Sequence, residues 1–281
     1  MLRHTFLHVP GIGYITEQKL WTQGFLSWED CLSERHCPLP LGIRNKLPQH
    51  LEESIEALAS GHARHFEMRL PPHEIWRLYP EFSEKVAFLD IETTGLYHGV
   101  DVITLIGLFD GQSTKVFIRG INLYEFAQEI KKYSLIVTFN GKRFDVPFIR
   151  RFFGELPPYQ AHIDLLYPLR RLGYRGGLKA IEAQLGLERE GALKKVDGFL
   201  AVLLWHEYQR GNKAALDTLA RYNLEDVVNL QYLADVAYNE ALARLPIQVE
   251  PLPVHSKYAV DMPFDPDLIH YLRQVSQGLF L

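Results

Sequence analysis

Asp90-Ile91-Glu92 closes an apolar run, Val86-Ala87-Phe88-Leu89, and leads into Thr93-Thr94-Gly95-Leu96. On a β-strand, residues two apart project from the same face, so these two carboxylates point into one small volume at the strand's end. Like charges held that close are costly unless a cation lies between them. The alternative for an isolated D-x-E is a strand end carrying two solvated acids. Two more stretches set acids in unusual contexts. Asn140-Gly141-Lys142-Arg143-Phe144-Asp145 follows an apolar strand pattern, which puts Asp145 near the carboxyl edge of a sheet, where α/β folds hold their sites. A simple helix cap is the other reading of Asp145. Tyr222 and Asp226 stand at i and i+4 in a long helical pattern and share one face. Carboxylates brought together would form a hard-oxygen donor set, suited to Mg²⁺ or Mn²⁺ rather than zinc.

The elements that must position these residues follow from the pattern of the chain. Strands are expected at Lys85–Ile91, Val102–Phe109, Lys115–Ile118 and Ser134–Phe139, with Asp110-Gly111-Gln112 as a hairpin turn between the second and third. A helix is expected over Leu123–Lys132, another after Asn140-Gly141, and a short apolar-acidic piece at His162–Leu166. Further helices begin near Leu178, cover Gly198–Tyr208, and run from about Ala214 through Tyr222 and Asp226. Three antiparallel strands, then helix, strand and helix, is the element order of a ribonuclease-H-like α/β fold, a mixed five-stranded sheet flanked by helices. Ahead of it, residues 1–80 read as a small helical region, and residues 246–281 as a proline-spaced tail with a short helix at Asp267–Val275. The sheet domain spans residues 83–245. In the helical region, Pro10-Gly11-Ile12-Gly13 forms a tight turn opening a helix. It resembles a single helix-hairpin-helix element, in which the backbone at Gly11 and Gly13 meets a nucleic-acid phosphate. An αα-hairpin used for packing is its alternative.

Composition bounds the function. The 281 residues are 47% hydrophobic and 23% charged, ordinary for a globular chain with a real core. The apolar run Phe199–Trp205 is too short to span a bilayer, and the first residues lack the apolar core of a signal peptide. Cys31 and Cys37 have no metal-ligand spacing and no second pair. A cytoplasmic protein with no membrane partner is expected. Net charge is −4, yet Lys131 to Lys195 holds 13 Lys/Arg against 6 Asp/Glu, largely as doublets. Such a basic zone suits a polyanion held at one face, and chance clustering on a solvated surface is its alternative.

The three acid-bearing segments, in this order and spacing, resemble the three exonuclease motifs of the DEDD 3′–5′ exonuclease superfamily. Tyr222, four before Asp226, is similar to the tyrosine branch; the histidine branch needs His where Arg221 stands. The stretch from Gly177 to Leu187, and then that from Leu216 to Leu230, also resembles a bacterial subfamily of ribonuclease-H-like exonucleases. The resemblance covers about residues 83–240. It implies two divalent ions, about 3.5–4 Å apart in such sites. Asp90, Glu92 and Asp226 would bind the ion that generates hydroxide, Asp90 would bridge to the second, and Asp145 would hold that one through water. Tyr222 would orient the attacking water. Thr93, Leu96, Asn140 and Phe144 would lie against the terminal nucleotide, with a core role the alternative for Leu96 and Phe144. Lys142 and Arg143 would meet backbone phosphates. The implied activity is hydrolysis of single-stranded DNA from its 3′ end. The alternatives are an exoribonuclease, a nucleic-acid-binding subunit with vestigial chemistry, and a Mg²⁺-dependent phosphatase or small-nucleotide hydrolase.

Overall fold

The computed structural model describes residues 1–33, 37–97 and 99–278. Among them, five strands form one sheet: β1 (Val86–Thr93), β2 (Ile103–Phe109), β3 (Thr114–Ile118), β4 (Leu135–Thr138) and β5 (Ala161–Asp164), in the order β3-β2-β1-β4-β5. β1, β2 and β3 pair antiparallel, whereas β4 joins β1, and β5 joins β4, in parallel. The β2–β3 turn is set by Asp110, whose Oδ1 accepts from the backbone N–H groups of Gln112 (3.0 Å) and Ser113 (2.8 Å). This is the expected ribonuclease-H-like α/β sheet with helices on both faces.

β1 is the central strand, and its alternation decides where the acids go. Val86 and Phe88 face an apolar layer with Leu224, Val227 and Val228 of the helix Lys213–Leu242. Ala87, Leu89 and Ile91 face the other layer, with Phe126, Phe148 and Ile149. Asp90 and Glu92 continue the Val86–Phe88 row, so they look toward that long helix. β1 also runs two residues further than the sequence suggests. Glu92 still pairs with Leu105 of β2, and the register shifts only between Glu92 and Thr93. The two acids therefore sit inside a hydrogen-bonded ladder rather than at a loose strand end.

The expected helix over Leu123–Lys132 is instead a chain of turns: 3₁₀ at Leu123–Glu125, one α turn at Phe126–Glu129, then 3₁₀ at Ile130–Lys132. The segment must bury Leu123, Phe126 and Ile130 and enter β4 within a few residues, which tight three-residue turns accomplish.

The N-terminal helices Tyr14–Thr22 and Leu47–Ala59 share the apolar layer of Val86 and Phe88. The first of them is anchored by Arg77, buried between Glu17 (3.0 Å) and Glu74 (2.8 Å). Cys31 and Cys37 are free buried thiols with their sulfurs 3.5 Å apart. At the other end, Ile269 and Leu272 of the helix Pro266–Gly278 pack on Leu200 and Leu204 of the helix Gly198–Gln209. Among the described residues, no helix is long and apolar enough to cross a membrane.

Candidate active site

Asp90, Glu92 and Asp226 each bring a carboxylate oxygen within 4.8 Å of the others. The first two come from β1, and Asp226 comes from the middle of the helix that crosses it. Tyr222 lies one turn before Asp226 on that helix and is 7% exposed. Glu92 and Asp226 are also buried, while Asp90 is partly open.

Asp145 enters from the opposite side of β1. The β1–β4 pairing stops at Phe88–Val137, which leaves the N–H of Ile91 without a strand partner on that side. Asp145, first residue of the helix Asp145–Phe153, takes it with Oδ1 at 3.1 Å. The gap between β1 and β4 is where the chain's connections diverge, the position at which α/β sheets open a crevice. Asp145 lies outside the group of three, but its charge is felt there, raising the pKa of both Asp90 and Glu92.

The electrostatics are those of acids crowded into a dry volume. Burial pushes the Glu92 carboxyl up to about 8, with the charge of Asp226 adding to it and a hydrogen bond from Asn223 opposing it. Burial raises Asp145 to about 7 against the pull of its backbone N–H donors. Asp90 is held well above the ordinary carboxylate range by burial and then by Asp145, Asp226 and Glu92. Burial likewise raises the Tyr222 phenol, and Asp226, Glu92 and Asp90 push it further. An all-oxygen set whose carboxylates raise one another in this way fits divalent cations.

Several partners carried no legible signal in the sequence. Asn223 Nδ2 donates to Asp90 Oδ2 at 2.7 Å. This contact needs Gly107, the residue opposite Asp90 on β2, because a Cβ there would collide with Asn223 Oδ1. Gly107→Ala is expected to cost about 1–3 kcal/mol by overpacking and to displace Asn223 from Asp90. Chemical denaturation paired with a rate measurement checks this, and an alanine variant of wild-type stability and rate contradicts it. Lys179 Nζ stands 4.7 Å from the centre of the Tyr222 ring. Arg189, 5% exposed, touches Asp226 Oδ1 with Nη1.

Other residues singled out in the sequence have varied surroundings. Thr93 is buried, and its hydroxyl donates to Gly95 O at 2.5 Å. Leu96 is 73% exposed. Asn140 has φ +62°, the left-handed region that asparagine tolerates. Its N–H and that of Lys142 are taken by Asp164 at 2.7 and 3.0 Å. Phe144 is half-buried, its ring centre 5.1 Å from that of Phe148. Gly11 and Gly13 are exposed, Gly11 at φ +88° and Gly13 at the start of the helix Tyr14–Thr22. Both residues of each basic doublet (Lys131-Lys132, Lys142-Arg143, Arg150-Arg151, Arg170-Arg171, Lys194-Lys195) are exposed.

With this geometry in place, the sequence profile of the RNase_H superfamily matches residues 87–238, more than half of the chain, and the protein belongs to that superfamily. No curated protein matches the chain. Among solved structures it is similar to the family B DNA polymerase from the hyperthermophilic archaeon Pyrobaculum calidifontis, at 18% identity and a TM-score of 0.41. That match covers 55% of this chain and 25% of the polymerase, so this chain spans about a quarter of the polymerase's length.

Proposed function

We propose that the protein is a two-metal-ion-dependent 3′–5′ exonuclease of the tyrosine branch, acting on single-stranded DNA 3′ ends. The observation that carries this reading is the convergence of Asp90, Glu92 and Asp226 on one small, largely dry volume with Tyr222 one helical turn away. Asp90, Glu92 and Asp226 would hold one Mg²⁺ or Mn²⁺ ion, and Asp90 with Asp145 the second. Bound there, the ions supply an activated water and neutralise charge on the scissile phosphate. The chain's own residues do the rest. Asn223 fixes the Asp90 carboxylate through its 2.7 Å hydrogen bond, and Tyr222 orients the attacking water. The phenol is a positioner rather than a base, because its ordinary pKa of about 10 keeps it protonated at neutral pH. Leu96 and the Lys142-Arg143 doublet are exposed at the ends of β1 and β4, where Leu96 would meet the terminal nucleotide and the doublet the phosphates. Residues 83–245 are the proposed catalytic domain. The Gly11–Gly13 turn in residues 1–80 would add a phosphate contact.

The test uses DNA and RNA oligonucleotides labelled at either end, incubated with Mg²⁺, Mn²⁺ or EDTA. Release of labelled mononucleotide from 3′-labelled DNA, abolished by EDTA, is expected. Release from RNA alone would move the substrate, and release starting at the 5′ end or surviving EDTA would overturn the reading. Tyr222→Phe removes one hydrogen bond and is expected to slow turnover about 10-fold. A loss as large as that of an aspartate variant would mean that the phenol does more than position.

A further inference from the structure

Arg189 is unusual in being a buried arginine beside acids that, on the reading above, hold divalent ions. Its Nε and Nη2 make a two-pronged pair with Glu182 at 2.6 and 2.7 Å. Glu182 is 1% exposed and also accepts from Asn229 Nδ2 at 2.9 Å. With those two donors committed, the remaining terminal nitrogen, Nη1, lies against Asp226 Oδ1 as an ion pair without a directed hydrogen bond. A guanidinium is rigid and planar, so fixing two of its nitrogens fixes the third.

The loop that bears Arg189 is tied down on both sides. Lys257 Nζ donates to the carbonyl of Glu188 at 3.0 Å and pairs with Glu225 at 2.7 Å. Arg221 pairs with Glu190 at 2.8 Å and with Glu225 at 2.9 Å, and it donates to Met262 O at 2.7 Å. The segment after Pro246 thus braces this loop against the long helix. A cleft of about 300 Å³ borders Arg189, lined by Lys179, Gly186, Leu187 and Lys194, so the guanidinium has space beside it.

From this geometry we infer that Arg189 is the resident counter-cation of the site: it occupies an oxygen of Asp226 in the ion-free protein, competes with a divalent ion for that oxygen, and so sets the ion affinity. The inference rests on the proposed metal site. Charge supports competition, since Arg189 and Glu182 neutralise each other and the extra contact with Asp226 is available to be exchanged. A divalent cation at Asp226 carries twice the charge and draws the carboxylate oxygen away from Nη1, while the pair with Glu182 remains. Arg189 is a positioning residue in this scheme.

Competition and simple structural support predict opposite signs. Mn²⁺ binding to the full-length protein is measured by the loss of the free-ion paramagnetic resonance signal and by calorimetry. Arg189→Gln is expected to tighten Mn²⁺ binding about tenfold, because the competitor is gone. Glu182→Gln is expected to weaken it by a similar factor, because the guanidinium then has Asp226 as its only carboxylate partner. If Arg189 merely props Asp226 in place, both variants weaken binding. Arg189→Gln leaves Glu182 buried without its partner, so the double variant Glu182→Gln/Arg189→Gln, neutral at both positions, is the second arm and is also expected to bind more tightly than wild type. Affinity that is unchanged or weaker in the double variant overturns the inference while leaving the metal site standing. A wild-type protein that takes up no Mn²⁺ overturns both.

Discussion

On the proposed two-ion reading, Asp90→Asn is expected to lower nuclease turnover by about a thousandfold, equivalent to about 4 kcal/mol of lost transition-state stabilisation, while the ion-free protein is expected to stay folded and to melt higher than wild type. Both halves follow from where Asp90 sits. On the proposed reading it is the carboxylate that would serve both ions: it lies in the group with Glu92 and Asp226 and, after burial, is raised most by Asp145. An amide cannot take up that negative charge or bind a hard cation with the same strength. In the absence of ions, the same carboxylate is a liability, crowded against three others. Its replacement removes repulsion, and the amide oxygen can still accept from Asn223. Parallel rate and melting measurements decide the matter. Turnover within tenfold of wild type would remove Asp90 from the chemistry, and a lower melting temperature would show that its role is structural.

The ion-free protein is also expected to lose stability as pH rises, which is the reverse of a chain whose acids are paired. Glu92 and Asp145 titrate near 8 and 7 in the folded protein, above their ordinary values of 4.5 and 3.8. Between those limits the folded state holds more protons than the unfolded state, so the free energy of unfolding falls with rising pH. Relative to acid conditions, the loss develops through about pH 5 to 8 and amounts to a few kcal/mol, on the order of 1.4 kcal/mol for every tenfold by which folding weakens the acid, before mutual screening. Saturating Mg²⁺ or Mn²⁺ replaces the protons and flattens the dependence. Melting curves in EDTA and in Mn²⁺ across that range check it. A flat curve in EDTA would mean that the acids do not share a dry volume.

The sequence made the skeleton of this site legible because strand and helix periodicity are strict. Period two places Asp90 with Glu92, and period 3.6 places Tyr222 with Asp226. The apolar runs around them mark the elements that bring the pairs together. Strand order was not legible, since nothing local tells β4 to pair with β1, and the extent of β1 depends on its ladder with β2. Arg189 was invisible for a different reason. It lies in a charged, aperiodic stretch, Glu188-Arg189-Glu190, where an arginine is ordinarily solvated, and only the tertiary contacts to Glu182 and Asp226 bury it. Asn223 was hidden by its position in a helix of otherwise unexceptional polarity. Its meaning comes from the missing side chain at Gly107 on another strand. The tail after Pro246 shows no motif, and its contacts through Lys257 and Met262 come from folding back on the long helix.

The central claim is that acids from β1, the helix after β4 and the long helix hold a pair of divalent ions beside Tyr222. Anomalous diffraction from crystals grown in Mn²⁺ tests it most directly. The account predicts one manganese peak bounded by Asp90, Glu92 and Asp226 and a second on the Asp145 side of Asp90, with Arg189 Nη1 withdrawn from Asp226. Saturating Mn²⁺ with no peak among these carboxylates, and Arg189 still seated on Asp226, would contradict it.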